Sequence, residues 1–568
     1  MTQFIIRPQD EERTRALSAA GAPSLLARTL GARGMTVEEW QGLELKDLLP
    51  WQGLKDIHKA AALLADAIAA QQKIVIIADY DADGATACAV GLRALRGLGA
   101  VVDYFVPNRL TLGYGLTPEV VALAHHKNPD LLITVDNGIA SVAGVDAAQA
   151  LGIPVIITDH HLPGDELPRA AAIVNPNQPG CTFASKHLAG VGVMFYVMLA
   201  LRAELRQRHI GVRPLGGPDP EFHLGQLLDL VALGTVADVV RLDRNNRLLV
   251  REGLKRIAAG RAQPGINALY QVAERDFRRA CSTDLGFVLG PRLNAAGRME
   301  DMGHGIECLA TDNPTQALEH ARRLEAFNRE RRSVEVTMQE SALEQLTNLE
   351  VGPRYTLCLY DKSWHPGVVG ILASRIKDRH NRPVITFAAG TAEGEIRGSG
   401  RSIAGFHLRD ALDQITKQHP NLILRFGGHA AAAGLTLRAG NLARFEAAFE
   451  TMARQWLTLT DLALQIEYDA DVNAEDLTLL NAEQLSAQVW GQGFPEPLLG
   501  GTFSVVEQRV VGERHLKLKL MQDKKPFDAI LFGHAEPLPK TIYALYRLGI
   551  NEWNGSRNLQ LEVRHWRV

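Results

Sequence analysis

Short apolar runs alternate with longer amphipathic stretches from Lys73 to about Asp312, which predicts strands joined by helices in a doubly wound parallel sheet. The β-branched run Ile74, Val75, Ile76, Ile77 reads as a buried strand, and LLITV before Asp136 and VIIT before Asp159 repeat the pattern. Before this region, residues 1 to about 60 read as a helical extension, with a break at Pro50 and Trp51. After it comes a polar helical pattern, about Thr315 to Leu349, ended by Val351, Gly352 and Pro353 and read as a solvated connector. A smaller α/β region follows, from about Arg354 to Trp456. The segments TFSVVEQRVV, HLKLKLM and LQLEVRHWRV then alternate in the period of half-buried strands, separated by polar turns. The fold expected is therefore an α/β multidomain chain with boundaries at 1–60, 61–313, 314–350, 351–458 and 461–568. The pieces are a helical extension, a doubly wound α/β domain, a connecting helix, a smaller α/β domain and a C-terminal β module.

Composition changes this picture little. At 568 residues several cores are required, and 46% hydrophobic with 22% charged residues is ordinary globular material. Cys88, Cys181, Cys281, Cys308 and Cys358 are scattered without CxxC spacing, which points to a reducing compartment and away from thiolate metal sites. The N-terminus MTQFIIRPQDEERTR is too charged for a secretory leader, and the apolar stretch Leu188–Leu201 is too short to span a bilayer. A cytoplasmic location is expected. The net charge of −3 argues against a chain that coats DNA nonspecifically, but it leaves room for a local basic groove, and residues 501–568 carry 11 Lys or Arg against 7 Asp or Glu. A basic β module of this kind suits an OB fold, and a packing module that never touches nucleic acid fits the same composition.

The chemistry begins at IIADYDADGAT. Asp79, Asp81 and Asp83 stand at every second position where a strand gives way to a loop, and at that density they repel one another unless a divalent cation compensates them. An EF-hand loop shares the D-x-D-x-D-G opening, but its twelfth position, counted from Asp79, is Val90 where a bidentate Glu is needed, and a strand precedes it in place of a helix. Asp136 in VDNG and Asp159, His160 and His161 in TDHH also end apolar runs, and Asp238 follows another apolar segment. Singly, each suits a turn or a surface. In an open parallel sheet, however, strand ends lie side by side and these groups converge in one crevice. Carboxylates with imidazole and no thiolate favour Mn²⁺ or Mg²⁺, and a bridging Asp would hold two such ions roughly 4 Å apart. Asp159 is expected to orient the His160 ring. In the second half, Gly427, Gly428 and His429 and the run Arg397, Ser399, Arg401, Ser402 combine glycine, hydroxyl and guanidinium groups suited to an anion, or to ordinary turns.

DYDADG, VDNG, DHH and the downstream Asp238, in that order, resemble the motifs of the DHH phosphoesterase family. PNRLTLGYGL (Pro107–Leu116), LAGVGV (Leu188–Val193), GPRLNAAGRM (Gly290–Met299), HPGVVGILASRI (His365–Ile376), GSGRS (Gly398–Ser402) and FGGHAAAAG (Phe426–Gly434) narrow the resemblance to its bacterial single-strand-specific 5′ to 3′ DNA exonucleases, over nearly the whole chain. The resemblance implies a DHH domain, a DHHA1 domain for the smaller α/β region and an OB reading of the β module. It implies that Asp79, Asp81, Asp83, Asp136, His160 and Asp238 bind two Mn²⁺ or Mg²⁺ ions, with Asp136 as the bridge and His161 in the same catalytic cluster. It further implies that Ser399 and Arg401 hold the 5′-terminal phosphate, that His429 contacts the scissile phosphate, and that Arg109, Tyr114, Arg292, Asn294 and Arg298 contact substrate, with His365 facing the cleft. One position departs from the family pattern: several members have His two residues before Asp79, where this chain has Ile77.

The function expected is metal-dependent 5′ to 3′ degradation of single-stranded DNA to 5′-mononucleotides, in recombination and repair. Partners implied by the resemblance are single-stranded DNA, single-stranded DNA-binding protein and a RecQ-type helicase, with the enzyme acting as a monomer and away from membranes. Two other readings share parts of this pattern. One is a phosphodiesterase for short oligoribonucleotides or dinucleotides, which would not need the long β module. The other is a noncatalytic scaffold, against which the intact acidic set argues.

Overall fold

The computed structural model describes residues 3–42, 44–109, 112–210, 222–347, 349, 351–390, 392–512, 514–553 and 556–568. Leu110 and Thr111 of the PNRLTLGYGL motif lie outside the described residues. Two compact units are present: one contains residues 3–5 and Ala326–Ile466, the other Ile6–Glu325 and Glu467–Val568. Among the described residues no helix is long and apolar enough to cross a membrane.

The larger unit is built on five parallel strands, β1 (Lys73–Ala78), β2 (Val101–Phe105), β3 (Leu131–Val135), β4 (Val155–Thr158) and β5 (Ala172–Val174), in the order β2-β1-β3-β4-β5. The strands are nearly continuous apolar runs because helices cover both faces. On one face Val75, Ile77, Leu132, Val155 and Ile157 pack with Val120, Val121 and Ala124 of α3 (Pro118–His125) and Val145 and Ala148 of α4 (Val142–Ala150). On the other face lie α1 (Ile57–Ala69), α2 (Ala82–Gly97) and α5 (Gly190–Gln207), the last buried over most of its length. The apolar stretch beginning at Leu188 is thus a core helix, as its length predicts. The chain winds to one side after β1 and to the other after β3. That reversal opens a crevice at their C-terminal ends, where open α/β sheets hold ligands.

Two further helices border this crevice, α6 (Leu228–Ala237) and α8 (Gly290–Met299), and α7 (Arg244–Ala258) packs against α6. The predicted connector is one 34-residue helix, α9 (Pro314–Thr347), which starts at a proline as helices commonly do. The smaller unit carries a mixed sheet of β6 (Leu357–Tyr360), β7 (Val384–Ala389), β8 (Glu395–Arg401), β9 (Arg425–Gly428) and β10 (Ala432–Arg438), ordered β9-β10-β8-β7-β6. Phe387, Phe406, Phe445 and Phe449 fill its core beneath α11 (Leu408–Gln418) and α12 (Leu442–Trp456), while α10 (Val369–His380) packs on β7 and β8.

The C-terminal module is a closed barrel. The two-residue β11 (Ala470–Asp471) leads into β12 (Leu499–Val511), β13 (His515–Gln522), β14 (Lys525–Leu531), β15 (Thr541–Trp553) and β16 (Ser556–Arg567). Neighbours run β12-β13-β14-β16-β15, and β15 pairs back onto β12, which leaves the ring without a free edge. In β13 Leu516, Leu518 and Leu520 point inward, while Lys517 and Lys519 face out, the alternation written in HLKLKLM. A bulge between Val505 and Glu507 re-aims the outer face of β12.

Candidate metal centre

Asp79, Asp136 and Asp159 each follow the last residue of a strand, at the ends of β1, β3 and β4. Their amides extend the parallel ladder by one residue: Asp79 donates to the Val135 carbonyl, Asp136 to Thr158 and Asp159 to Val174, at 3.3, 3.0 and 3.1 Å. The three carboxyl groups therefore stand in a row along the sheet edge. Asp81 caps α2, its Oδ1 accepting from the amides of Asp83 (2.9 Å) and Gly84 (3.0 Å). Asp83, in the first turn of α2 and fully buried, accepts from Gly190 (2.6 Å) and Val191 (2.9 Å), the first amides of α5. Asp238 comes from the end of helix α6, not from a strand.

His160 sits at the centre. Its Nε2 lies 3.0 Å from Asp136 Oδ1, 3.4 Å from Asp238 Oδ2 and 3.9 Å from Asp83 Oδ2. The donor atoms form overlapping groups, Asp79 with Asp81 and Asp136, Asp83 with His160 and Asp238, and Asp136 with His160 and His161. Asp136 belongs to two of these and is the natural link between them. Its backbone is left-handed, at φ 61°, an uncommon conformation outside glycine. Gly190 explains how the group fits: a Cβ there would stand 2.7 Å from both Cβ and Oδ1 of Asp136. Asn137 bonds the carbonyls of Ile77 and Val135 through its amide nitrogen (3.1 and 2.9 Å), tying β1 to β3 at the crevice.

The sequence reading of Asp159 needs correction. Its Oδ1 accepts from the backbone amides of His160 (2.7 Å) and His161 (3.1 Å), but the ring it meets is that of His161, at Nδ1, 2.8 Å away. The cause is steric: the chain turns at the end of β4, so the carboxylate lies under its own following residues, and Oδ2 is taken by the Ile139 amide (2.9 Å). Tyr114 completes this side, its hydroxyl 3.2 Å from His161 Nδ1 and 3.3 Å from the Asp136 carbonyl.

Burial first, and then the neighbouring carboxylates, push the Asp79, Asp136 and Asp238 carboxyls well above the usual range. Asp83 is raised to about 7 by burial and the Asp81 charge, despite its two backbone donors. Burial also works against Asp159, but the His161 hydrogen bond and the charges of both histidines bring it below the ordinary value. Burial lowers His161, and the hydrogen bond and charge of Asp159 outweigh that and lift it to about 9. Asp79 Oδ1, Asp136 Oδ1 and Asp238 Oδ2 are buried without a hydrogen-bond donor of acceptable geometry. Oxygen donors crowded with an imidazole, unsatisfied and mutually repelling, fit one or two hard divalent cations.

Three family models match the chain: the DHH family, N-terminal domain, at residues 73–235; the DHHA1 domain at 353–455; and the RecJ OB domain at 468–565. The single-stranded-DNA-specific exonuclease RecJ of Escherichia coli is 46% identical over 99% of this chain and 98% of its own length. The chain belongs to the RecJ family. The Bacillus subtilis RecJ, at 34% identity, is matched over 98% of this chain and 70% of its own length. The crystal structure of Thermus thermophilus RecJ in complex with Mn²⁺ superposes with a TM-score of 0.82 at 29% identity, covering all of this chain and 80% of that one; its Mg²⁺ complex gives 0.76.

The other residues expected from the RecJ pattern are placed unevenly. Arg109 lies over the Tyr80 ring, 5.1 Å from its centroid, beside the acidic loop. Arg298 is half-buried at the end of α8. Asn294 turns its side-chain oxygen to the Ala82 amide (2.8 Å) and so secures the start of α2. Gly297, one turn on, allows that helix onto the loop, since a Cβ would lie 1.9 Å from the Tyr80 carbonyl oxygen. Arg292 departs from expectation: it is buried, paired with Glu325 at 2.7 Å and donating to the Val288 carbonyl at 2.6 Å, so its guanidinium is spent inside the fold. The resemblance marked Arg292, Asn294 and Arg298 of GPRLNAAGRM as substrate contacts, yet Asn294 and Gly297 hold the acidic loop. The motif's spacing of small residues, Ala295, Ala296 and Gly297, was the available signal for such close packing.

In the smaller unit, Ser399 and Arg401 project from β8 toward the start of α10, where a Cβ on Gly370 would meet Ser399 Oγ at 2.9 Å and an Arg401 nitrogen at 3.0 Å. Arg401 also reaches Ser399 Oγ at 3.2 Å. Ser402 is buried and donates to the Phe406 carbonyl, which removes it from any anion site. His429 is exposed at the turn between β9 and β10, its amide bonded to Ala432 O at 2.8 Å. His365 Nδ1 accepts from the Gly367 amide at 3.1 Å, ahead of α10.

Proposed function

We propose that this chain is a metal-dependent exonuclease that degrades single-stranded DNA from the 5′ end to 5′-mononucleotides. The observation that carries the reading is the pair of carboxylate groups, Asp79–Asp81–Asp136 and Asp83–His160–Asp238, joined through the 3.0 Å approach of Asp136 to His160. Two Mn²⁺ or Mg²⁺ ions held there would neutralise the scissile phosphate and supply an activated water for in-line attack. The chain's own part is placement. Backbone donors fix Asp81 and Asp83, Asp159 holds His161, and the left-handed turn aims Asp136. Ile77 is fully buried in the core below α3 and α4, so the acidic set serves without an imidazole from that position.

Direction follows from the DHHA1 unit. Ser399 Oγ, the Arg401 guanidinium and the start of α10 together suit a terminal phosphate, because a helix N-terminus and a fork of N–H donors both favour an anion. His429 is read as a scissile-phosphate contact, and Arg109, Tyr114, Asn294 and Arg298 as strand contacts. Arg509, Lys517 and Lys519 line a groove on the outer face of the barrel together with Glu507 and Asp528, which leaves it one positive charge in excess for the backbone of a single strand. We read the enzyme as a cytoplasmic monomer that works with single-stranded DNA-binding protein and a RecQ-type helicase in recombination and repair.

The test is an oligonucleotide with a 5′-phosphate, labelled at either end, incubated with Mn²⁺ beside its duplex, an RNA version and a dinucleotide. Mononucleotides released from the 5′ end of single-stranded DNA, and lost in Asp136→Ala, are the expected result. Turnover of the dinucleotide or RNA alone would move the function to a small-substrate phosphodiesterase.

A further inference from the structure

The loop that begins at Asp238 is clamped by a segment from the other end of the chain. Val239, directly after that carboxylate, is left-handed at φ 63° and largely exposed, a conformation that a β-branched residue adopts only under constraint. Three residues on, the amide of buried Leu242 donates to the Gln492 carbonyl at 2.8 Å. Gly491 lies against Leu242, where a Cβ would stand 2.5 Å from Leu242 Cδ1. Gly493, at φ 71°, lies against Arg241, and a Cβ there would stand 2.5 Å from Arg241 Cγ. On its inner side the same loop is fixed by Asn246, whose amide nitrogen bonds the carbonyls of His187 and Arg241 at 2.6 and 3.0 Å.

The clamp is itself anchored firmly. Trp490 and Phe494 stack 5.1 Å apart at 17°, and both are buried. Arg33 lies over both rings, at 5.1 and 5.3 Å, while Arg247 of α7 lies 4.5 Å from the Phe494 ring. Arg33 also binds Asp469 through two 2.9 Å hydrogen bonds and donates to the Pro495 carbonyl. A cation–aromatic stack closed by a buried bidentate ion pair is a rigid mount, since each part restricts the rotamers of the next.

We propose that the Trp490–Glu496 segment, which leads into the barrel, is a positioning element for Asp238: it fixes the strained turn after that carboxylate and so sets the metal affinity of the Asp83–His160–Asp238 group. This rests on the metal-centre reading above. None of its residues touches the reacting atoms, so the expected effect is on metal binding, with turnover following.

The experiment is a Mn²⁺ titration of the full chain without DNA, read by the electron paramagnetic resonance of free Mn²⁺, on the unsubstituted protein, Gly493→Ala, Trp490→Ala and Trp490→Phe. Gly493→Ala and Trp490→Ala should weaken one of two binding steps by about tenfold or more, the size usual for groups that orient a metal ligand. Trp490→Phe, which keeps an aromatic face for the stack, should restore it. In turnover assays the Mn²⁺ needed for half-maximal rate should rise while KM for single-stranded DNA stays within about twofold. Circular dichroism and melting identify any variant that does not fold; if one fails, Gly491→Ala takes its place. Two folded variants with the unsubstituted Mn²⁺ isotherm would overturn the proposal. An unsubstituted chain that binds no Mn²⁺ would instead overturn the metal-centre reading beneath it.

Discussion

Asp136 is confined from every side: a left-handed backbone, His160 at 3.0 Å, and Gly190 where any side chain would collide. Asp136→Asn keeps the shape and removes the charge. It should lower kcat by at least about 10²–10³, as expected when a group central to transition-state electrostatics is lost, with KM for DNA little changed. The buried carboxyls also make the centre pH-sensitive. Asp83 is raised from 3.8 to about 7, so without metal its contribution to stability is full below pH 3.8 and is lost as pH rises through about 7. Cations compete with those protons. The rise in Tm on adding Mn²⁺ should therefore be larger at about pH 8 than at about pH 5.5, and equal shifts would mean the cluster carries no excess protons. At this scale the convergence of Asp79, Asp136 and His160 was legible because charge at the end of an apolar run has few structural uses. The ring partner of Asp159 and the burial of Arg292 were not, because both depend on which way a side chain turns after the backbone is fixed.

At the level of elements, the acidic loop is held as a lid is held by its hinge pins: Asn294 on the Ala82 amide and Gly297 against the Tyr80 carbonyl, both from α8. Gly297→Ala should push this helix away, lowering stability by about 1–3 kcal/mol in chemical denaturation and weakening Mn²⁺ binding. Asn294→Ala leaves a helix-start amide unpartnered and should destabilise by about 1–3 kcal/mol without a steric clash. Were Mn²⁺ affinity untouched in both, α8 would be packing alone. Several strands could be read from hydrophobic period, as with β1, β3, β4 and β13, and so could helices α5 and α9. Contacts between distant helices could not, because small residues permit close approach without naming the partner. The clamp on the Asp238 loop was invisible for the same reason: WGQGF reads as a turn until its glycines are seen against Leu242 and Arg241.

Across the whole molecule, the net charge of −3 conceals a barrel whose outer face carries Arg509, Lys517 and Lys519 in one groove, beside Glu507 and Asp528. Reversing all three to Glu should weaken single-stranded DNA binding and flatten its dependence on log salt by roughly 0.7 for each phosphate no longer neutralised. An unchanged slope would leave the barrel a packing module. For the DHHA1 unit, Arg401→Ala should erase the preference for a 5′-phosphate over a 5′-hydroxyl end in competition assays, and an undiminished preference would place the terminal phosphate elsewhere. The succession of α/β and β-rich regions could be read from sequence period, while the OB reading of the last came from the family resemblance; how the barrel closes, β15 onto β12, was not legible, since strand pairing leaves no mark in composition. The cluster itself is gathered from points as far apart along the chain as Asp79 and Asp238, and gathering like charges is slow work for a polypeptide. Refolding from denaturant should reach the native sheet faster when Mn²⁺ is present or the solution is mildly acid, so the ion that serves the reaction would also serve as a chaperone for the site that receives it.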